Sequence, residues 1–420
     1  MQDILLQKFF EPERWETALE IGLGKGIDKT TLRQLTTPDA RAAMYIAVRD
    51  GNYEVAPPHM AQIPKDDGTY RTVYVNENVD RIFLSIANDL LFEMCHEMIH
   101  KSCKSYQKGT GCGKVVQEVS NLVVSTPGAI IGFKSDLSKY FDSVPIRYID
   151  AAFDAVEKKL GHSAIIDVLR KYYHADLCFD LDGNLITQYQ SLKQGCAVAS
   201  FLADVVLYHI DDAMSKLDGF YVRYSDDCLF IGSNYNAAMK LMSRELGKMD
   251  MTLNPKKVEY LDKEHWFKFL GFSIKGSDIS LSKSRIHSFQ KEIEKRTIKK
   301  RGISLHNALN SVNSYLYKGN GEFSWATQVL GTINVKHDVD KLNGFVMDCL
   351  RAVQTGKTKL GGLGYRAEQD EGCIERGTGK NVRANREKTE PRIEGYYSLG
   401  CMQNALRTRR AAYETLVRSM

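Results

Sequence analysis

The stretch YVRYSDDCLFIG, residues 221–232, sets two aspartates inside an otherwise apolar and aromatic run. Tyr221 to Ser225 and Cys228 to Gly232 both read as strands, which puts Asp226 and Asp227 at a tight turn between two largely buried strands. Ionised carboxylates beside a dry core are costly unless positive charge compensates them, and a pair of divalent cations would do so. Asp-Asp occurs twice more, at Asp66-Asp67 and Asp211-Asp212. The first follows Lys65 in QIPKDDGTYRTVYV and reads as the solvated turn of a hairpin with strands near Gln62 to Lys65 and Tyr70 to Val75. The second falls in the last turns of a helical run from Ala197 to Leu217, where an exposed polar edge is the expected setting.

A site for two metal ions needs a further carboxylate. The other strand that ends in an acid is AIIGFKSDLSKYF, residues 129–141, with Asp136. Acids from one strand end and one hairpin turn can converge on two Mg²⁺ ions, which suits nucleotidyl transfer. The candidate ligands are all oxygens, so Mg²⁺, with Mn²⁺ as a substitute, fits better than zinc.

The rest of the chain bounds this reading. At 420 residues, 43% hydrophobic and 26% charged, it has the composition of a soluble globular protein of two or three domains. No run approaches the ~18 apolar residues of a membrane span, so no membrane partner and a cytoplasmic location are expected. Nine scattered cysteines without metal-ligand spacing read as reduced thiols. The Gly-rich KGTGCGK, residues 108–114, lacks the order of a phosphate-binding loop because Val115 follows Lys114. From Lys283 to Arg301 eight basic residues stand against Glu292 and Glu294, a face suited to a phosphate backbone or simply to solvent. Beyond residue 280 the periodicity predicts three helices, within 282–297, 304–317 and 339–353. The segment from about Thr355 to Arg392 is rich in Gly, Lys, Arg and Glu and carries no readable motif, like the first ~55 residues.

In order along residues 60–275, the sequence resembles the reverse transcriptase family. IPKDDGTYRTVYV looks like the fingers hairpin, GFKSDLSKYFDSV like the first palm motif, and SLKQGCAVASFLADVVLYHID like the Gln-Gly motif before a helix. YSDD fits YxDD, LNPKKVEYL the lysine-bearing motif, and FKFLGF the primer grip. The motif style is similar to bacterial enzymes of group II introns and diversity-generating retroelements. The compact form and the segment SWATQVLGTINVKHDVDKLNGFVMDCL favour the phage-defence-associated group. Ser200-Phe201, where group II intron enzymes carry Ser-Pro, departs from that branch, and Ser225 fills a position where many relatives have Ala, Val or Met.

The resemblance implies an α+β right-hand polymerase with fingers, a palm whose antiparallel sheet carries the YSDD hairpin, and a helical thumb. The implied domains are 1–128 (N-terminal helices and fingers), 129–278 (palm with part of the fingers), 279–355 (thumb) and 356–420 (basic C-terminal segment). Asp136, Asp226 and Asp227 would be the catalytic acids and metal ligands, with the carbonyl of Leu137 as a further ligand. Lys65 and Arg71 would hold the triphosphate of the incoming dNTP, whose leaving pyrophosphate gains charge. Read without the resemblance, those two cations are exposed hairpin decoration.

Phe141 would exclude a 2′-hydroxyl, Gln194 would contact the nucleotide with Gly195 allowing close backbone approach, and Lys257, rather than Lys256, would give a proton to pyrophosphate. Phe269, Leu270 and Gly271 would steady the primer end, and Lys295 and Lys299 would lie along an RNA–DNA duplex. The implied partner is a structured noncoding RNA, as template and scaffold. The oligomeric state is open. Competing readings are an RNA-directed RNA polymerase, opposed by Phe141; untemplated or protein-primed DNA synthesis, for which 21 tyrosines offer hydroxyls; and a catalytically silent RNA-binding scaffold, opposed by the clustered acids.

Overall fold

The computed structural model describes residues 2–24, 26–65, 68–107, 109–319, 324–356 and 393–420. Asp66 and Asp67, read above as a solvated turn, and residues 357–392 lie outside the described residues. The chain divides into two units, residues 1–109 with 132–260 and residues 110–131 with 261–420.

In the first unit, helices α1 (Ile4–Phe9), α2 (Pro12–Gly24), α3 (Lys29–Thr36) and α4 (Pro38–Arg49) precede a hairpin of β1 (His59–Pro64) and β2 (Tyr70–Val75). Short polar residues start the helices. Asp28 accepts from the N–H groups of Thr30 and Thr31, and Thr37 caps α4 with Pro38 in its first turn. Helix α5 (Asn78–Met94) buries Ile82, Phe83, Ile86, Ala87, Leu90 and Leu91, the three-and-four spacing that the sequence predicts.

After α6 (Cys112–Ser125), which belongs to the second unit, come β3 (Ile130–Asp136), α7 (Tyr140–Ser143), α8 (Ile146–Leu160), α9 (Ala164–His174), β4 (Leu177–Phe179) and β5 (Leu185–Thr187). Strands β1, β2, β4 and β5 form a sheet of order β2-β1-β4-β5. Then follow α10 (Ala199–Val205), α11 (Tyr208–Ser215), β6 (Phe220–Tyr224), β7 (Asp227–Ile231), α12 (Tyr235–Gly247) and β8 (Glu259–Asp262).

The sheet that positions the acids has the order β6-β7-β3-β8, with β6/β7 and β3/β7 antiparallel. Its central strands alternate into the core, where Phe133 on β3 stacks on its cross-strand partner Phe230 with ring centroids 6.2 Å apart. Gly132 is needed for that approach, because a Cβ there would lie 2.0 Å from the Phe230 carbonyl oxygen.

The sequence predicts one helix from Ala197 to Leu217, but the chain breaks between α10 and α11. The break has a side-chain cause. The Ala203 carbonyl accepts from Tyr140 and Arg223, and the Asp204 carbonyl accepts from Arg223, so side chains take bonds that a continuing helix would make.

The second unit holds a three-stranded antiparallel sheet of β9 (Phe267–Phe269), β10 (Phe272–Lys275) and β11 (Asp278–Leu281), with α6 packed on it. Helices α13 (Lys283–Arg296), α14 (Leu305–Asn313) and α15 (Lys336–Thr355) match the three predicted from periodicity. Ser282 and Ser304 cap the first two. Past Asn313 the predicted helix widens into a π-helical turn, Ser314–Lys318, and a second such turn spans Ala326–Leu330. Helices Leu399–Thr408 and Arg410–Ser419 close the unit. The fold class is thus α+β with mainly antiparallel pairing, β1 and β4 being parallel neighbours. All cysteines among the described residues are free, and no helix among them is long and apolar enough to cross a membrane.

Candidate active site

Register places the acids. Asp227, the first residue of β7, pairs with Tyr224 on one side and with Asp136, the last residue of β3, on the other. Ser225 and Asp226 are the two residues of the turn between β6 and β7. The Leu137 N–H donates to the Asp226 carbonyl at 3.0 Å, tying the end of β3 to that turn. All three aspartates therefore lie at one end of one sheet.

Their environment is electrostatically tense. Burial pushes the Asp226 carboxyl above its ordinary range and Asp136 adds to the rise, while Lys257 and Arg71 oppose it. Burial, then Asp226 and Asp136, push Asp227 up to about 6 against the pull of Lys134 and Lys257. Asp136 is 6% exposed, and its Oδ1 is buried without a hydrogen-bond partner. The Lys257 ammonium bonds the other oxygen. Lys256, next in sequence, makes no such ion pair among the described residues. Asn254 sets the lysine's place, accepting from the Lys257 N–H and donating its own to the Asp136 carbonyl.

These features fit divalent cations: two carboxyls raised by burial and by neighbouring acids, an orphaned buried oxygen, and a donor set made only of oxygen. The carboxylates do not close into a tight cluster. Among the described residues, the set of acid and histidine ligand atoms lying within 4.8 Å of one another is Glu157, His162 and Asp167. That trio belongs to a surface ion-pair network in which Arg170 bonds Glu157 at 2.9 Å and Asp154 at 2.6 Å.

Behind the turn lies a network that sequence reasoning missed. Asp211 is not on a polar edge. It is fully buried and accepts from Arg223 Nε at 2.8 Å and Nη2 at 2.6 Å, whereas Asp212 is the exposed partner of Lys216. Arg223 also donates to the Ser225 carbonyl at 3.1 Å. The Ser225 N–H donates to Ser105 Oγ at 2.9 Å, and the Ser105 hydroxyl donates to the buried Asp204. Burial pushes Asp204 up to about 6, against the pull of Arg223. These bonds hold Ser225 at φ 58°, a left-handed conformation that costs a non-glycine residue ~1–2 kcal/mol. The one signal in the sequence was an arginine inside an apolar strand, which needs a buried acid.

Of the nucleotide candidates, Arg71 acts on the Asp226 carboxyl. Lys65 and Arg71 are exposed on the β1/β2 hairpin, and both act on the Asp142 carboxyl, opposing the burial that raises it. Phe141 is half-buried in α7, its ring edge-on to Tyr140 and its carbonyl accepting from the Leu192 N–H. The Gln194 carbonyl accepts from the Tyr74 N–H at 2.7 Å, and a Cβ on Gly195 would sit 2.7 Å from the Tyr74 oxygen. The close approach at Gly195, at φ 110°, is thus to the hairpin strand β2. Lys193 was also missed. It is buried, with Nζ 2.7 Å from Gln190 Oε1 and 4.7 Å from the Tyr172 ring centre, and burial lowers its ammonium to about 8.

The remaining candidates lie in the second unit. Phe269 is 3% exposed and belongs to the core. Leu270 and Gly271, at φ 51° and 78°, form the two-residue turn to β10. Lys295 is exposed on α13, while Lys299 pairs with Glu294 at 2.6 Å and Arg296 with Glu292 at 2.6 Å, so part of the basic face is self-neutralised.

Several solved structures are similar to this chain. Telomerase from Candida tropicalis is 15% identical over 72% of this chain and 58% of its own, with a TM-score of 0.45. The same enzyme in complex with a TWJ fragment of telomeric RNA is 16% identical over 72% and 54%, with a TM-score of 0.46. Telomerase from Candida albicans, also with such a fragment, is 12% identical over 63% and 53%, with a TM-score of 0.41. The chain thus spans little more than half the length of each. No curated protein matches the sequence. The sequence pattern described as "Reverse transcriptase (RNA-dependent DNA polymerase)" matches residues 63–274, just over half of the chain. The acids paired across β3 and β7 lie inside that span, and the chain belongs to the reverse transcriptase family.

Proposed function

We propose that the protein is an RNA-directed DNA polymerase that joins a primer 3′-hydroxyl to the α-phosphorus of a dNTP and releases pyrophosphate. The observation that carries this is the pairing of Asp136 opposite Asp227, beside Asp226, with one Asp136 oxygen buried and unpaired. Divalent cations, in this reading two Mg²⁺ or Mn²⁺ held by Asp136, Asp226, Asp227 and the Leu137 carbonyl, would activate the hydroxyl and neutralise the leaving group.

The protein groups divide the remaining work. Lys65 and Arg71 bind the triphosphate as exposed cations; the charge of Arg71 reaches Asp226, and both act on Asp142. Gln194 lines the nucleotide site, and its backbone bond to Tyr74 fixes it relative to that hairpin. Phe141 selects against a 2′-hydroxyl. As the new 3′-O–P bond forms and the α–β bridging bond breaks, Lys257 gives its proton to pyrophosphate. The Asp136 contact holds Lys257 above its ordinary pKa and therefore protonated at neutral pH.

Fingers, palm and helical thumb, with Phe269, Leu270 and Gly271 at the primer end and Lys295 and Lys299 along the duplex, complete the reading. We extend it, on the sequence resemblance alone, to a cytoplasmic enzyme of phage defence copying a structured noncoding RNA. To test it, the protein is purified with the RNA it retains, given Mg²⁺ and each dNTP in turn, and the product is sequenced. DNA complementary to the retained RNA supports the proposal. A homopolymer made without regard to the RNA overturns templated synthesis, and no product overturns the polymerase.

A further inference from the structure

The second unit contains a cavity of about 480 Å³ that uses none of the groups assigned to polymerisation chemistry. Phe289 and Trp325 stand with ring centroids 4.6 Å apart, and Tyr315 lies 6.4 Å from Phe289. Phe289 is buried and braces the other two, which remain half-exposed. Two guanidiniums complete the wall. Arg296 lies 4.9 Å from the Tyr315 ring centre; its Nη2 pairs with Glu292 at 2.6 Å and its Nη1 donates to the Ser311 carbonyl at 3.3 Å, while its Nε is buried without a hydrogen-bond partner. Arg285 stacks on Phe272 at 4.6 Å and reaches the Leu270 carbonyl at 3.3 Å, and among the described residues no carboxylate pairs with it.

Each part narrows the ligand. A half-buried guanidinium without a counter-ion asks for an anion. Braced, half-exposed rings offer a stacking face for a flat π system. An apolar ligand would leave Arg285 unpaired, and a simple carboxylate or phosphate would leave the rings unused. The volume falls in the range of small-molecule sites and is far too small for a duplex. Both π-helical turns, Ser314–Lys318 and Ala326–Leu330, border the cavity, and such turns recur at functional sites. Arg285 also links the cavity to the Leu270 turn, which the resemblance assigns to the primer end.

We propose that this cavity binds a single nucleotide moiety, with the base stacked on Trp325 and Tyr315 and the phosphate held by Arg285 and Arg296. The moiety is either a free nucleotide or an unpaired residue of a single strand. The proposal does not depend on the metal site being active.

The test is photo-crosslinking of the full chain with 4-thiouridine monophosphate and, separately, with a short single-stranded RNA carrying one 4-thiouridine, the peptides being mapped. Crosslinks at Tyr315 or Trp325 are expected; labelling by the monophosphate identifies a free nucleotide, and labelling by the strand alone an unpaired residue. Trp325→Ala should weaken binding at this site roughly five- to a hundredfold, while Trp325→Phe stays within about threefold. Arg296→Gln, with its melting temperature matched to wild type, should weaken the monophosphate more than the 4-thiouridine nucleoside. Crosslinks only outside residues 285–328, or unchanged labelling in Trp325→Ala, would overturn the proposal. DNA synthesis without these crosslinks rejects the cavity site and leaves the polymerase standing; crosslinks without synthesis do the reverse.

Discussion

Arg223 and Asp211 lock together behind the acid-bearing hairpin, Nε to Oδ1 at 2.8 Å and Nη2 to Oδ2 at 2.6 Å, with both side chains closed off from solvent. Burial works against the arginine's charge, but Asp211 more than offsets it, so the guanidinium stays firmly protonated. The same arginine takes the carbonyls of Ala203, Asp204 and Ser225. One side chain thus joins the end of α10, the start of α11 and the Ser225-Asp226 turn.

Removing one partner of a buried pair strands the other charge. Asp211→Asn should destabilise the fold by about 3–5 kcal/mol in chemical denaturation. Asp212→Ala, one residue away, removes only an exposed pair with Lys216 and should leave the midpoint unchanged. Equal effects at the two positions would reject the assignment of Asp211 to Arg223.

Lys193 makes stability depend on pH in a predictable direction. Its folded-state pKa, about 8 against an ordinary 10.5, means that the unfolded chain binds more protons between those values. Stability should therefore rise from pH 8 to pH 10.5, by up to about 3 kcal/mol, and fall when pH is lowered through that window. In Lys193→Met the slope should flatten. An unchanged slope in urea melts across that range would show that the ammonium is not buried as described.

Of the adjacent lysines, Lys257 bonds Asp136 and Lys256 does not. Lys257→Ala should slow single-turnover nucleotide addition about 10²–10⁴-fold, the usual worth of a positioned general acid. Lys256→Ala should leave the rate near wild type. Reversed effects would transfer the role to Lys256.

Phe141 is the proposed sugar gate. Phe141→Ala should raise the ratio of ribonucleotide to deoxynucleotide incorporation by about tenfold or more, since a steric block of this kind costs a few kcal/mol. An unchanged ratio in competition assays would assign the ring to core packing alone.

Local features were the most legible. The strands on both sides of Asp226-Asp227 and the hairpin around Lys65 and Arg71 follow from alternation and turn residues a few positions apart. Bringing Asp136 beside the Asp226-Asp227 pair needed only one strand ending in an acid and one acidic hairpin turn; the pairing of Asp136 with Asp227, the first residue of β7, came from the structure. What spacing could not supply was the identity of distant partners. Asp211 occupies a helix position that looks solvated until Arg223 arrives from another element, and the same arginine breaks the helix that periodicity runs continuously through Val206 and Leu207. Ser105, Asp204 and Lys193 were invisible for the same reason: burial of a polar side chain is decided by what packs over it.

The central claim is that three carboxylates at one end of the sheet drive nucleotide addition on an RNA template, and primer extension on a defined RNA annealed to a DNA primer tests it most directly. Wild type should extend the primer with dNTPs in Mg²⁺ and stop when the ion is chelated. Asp136→Asn and Asp227→Asn should each lose at least about 10³-fold in rate while retaining the wild-type fold by circular dichroism. Extension at the wild-type rate by either folded variant, or extension by wild type that persists after chelation, would contradict the account.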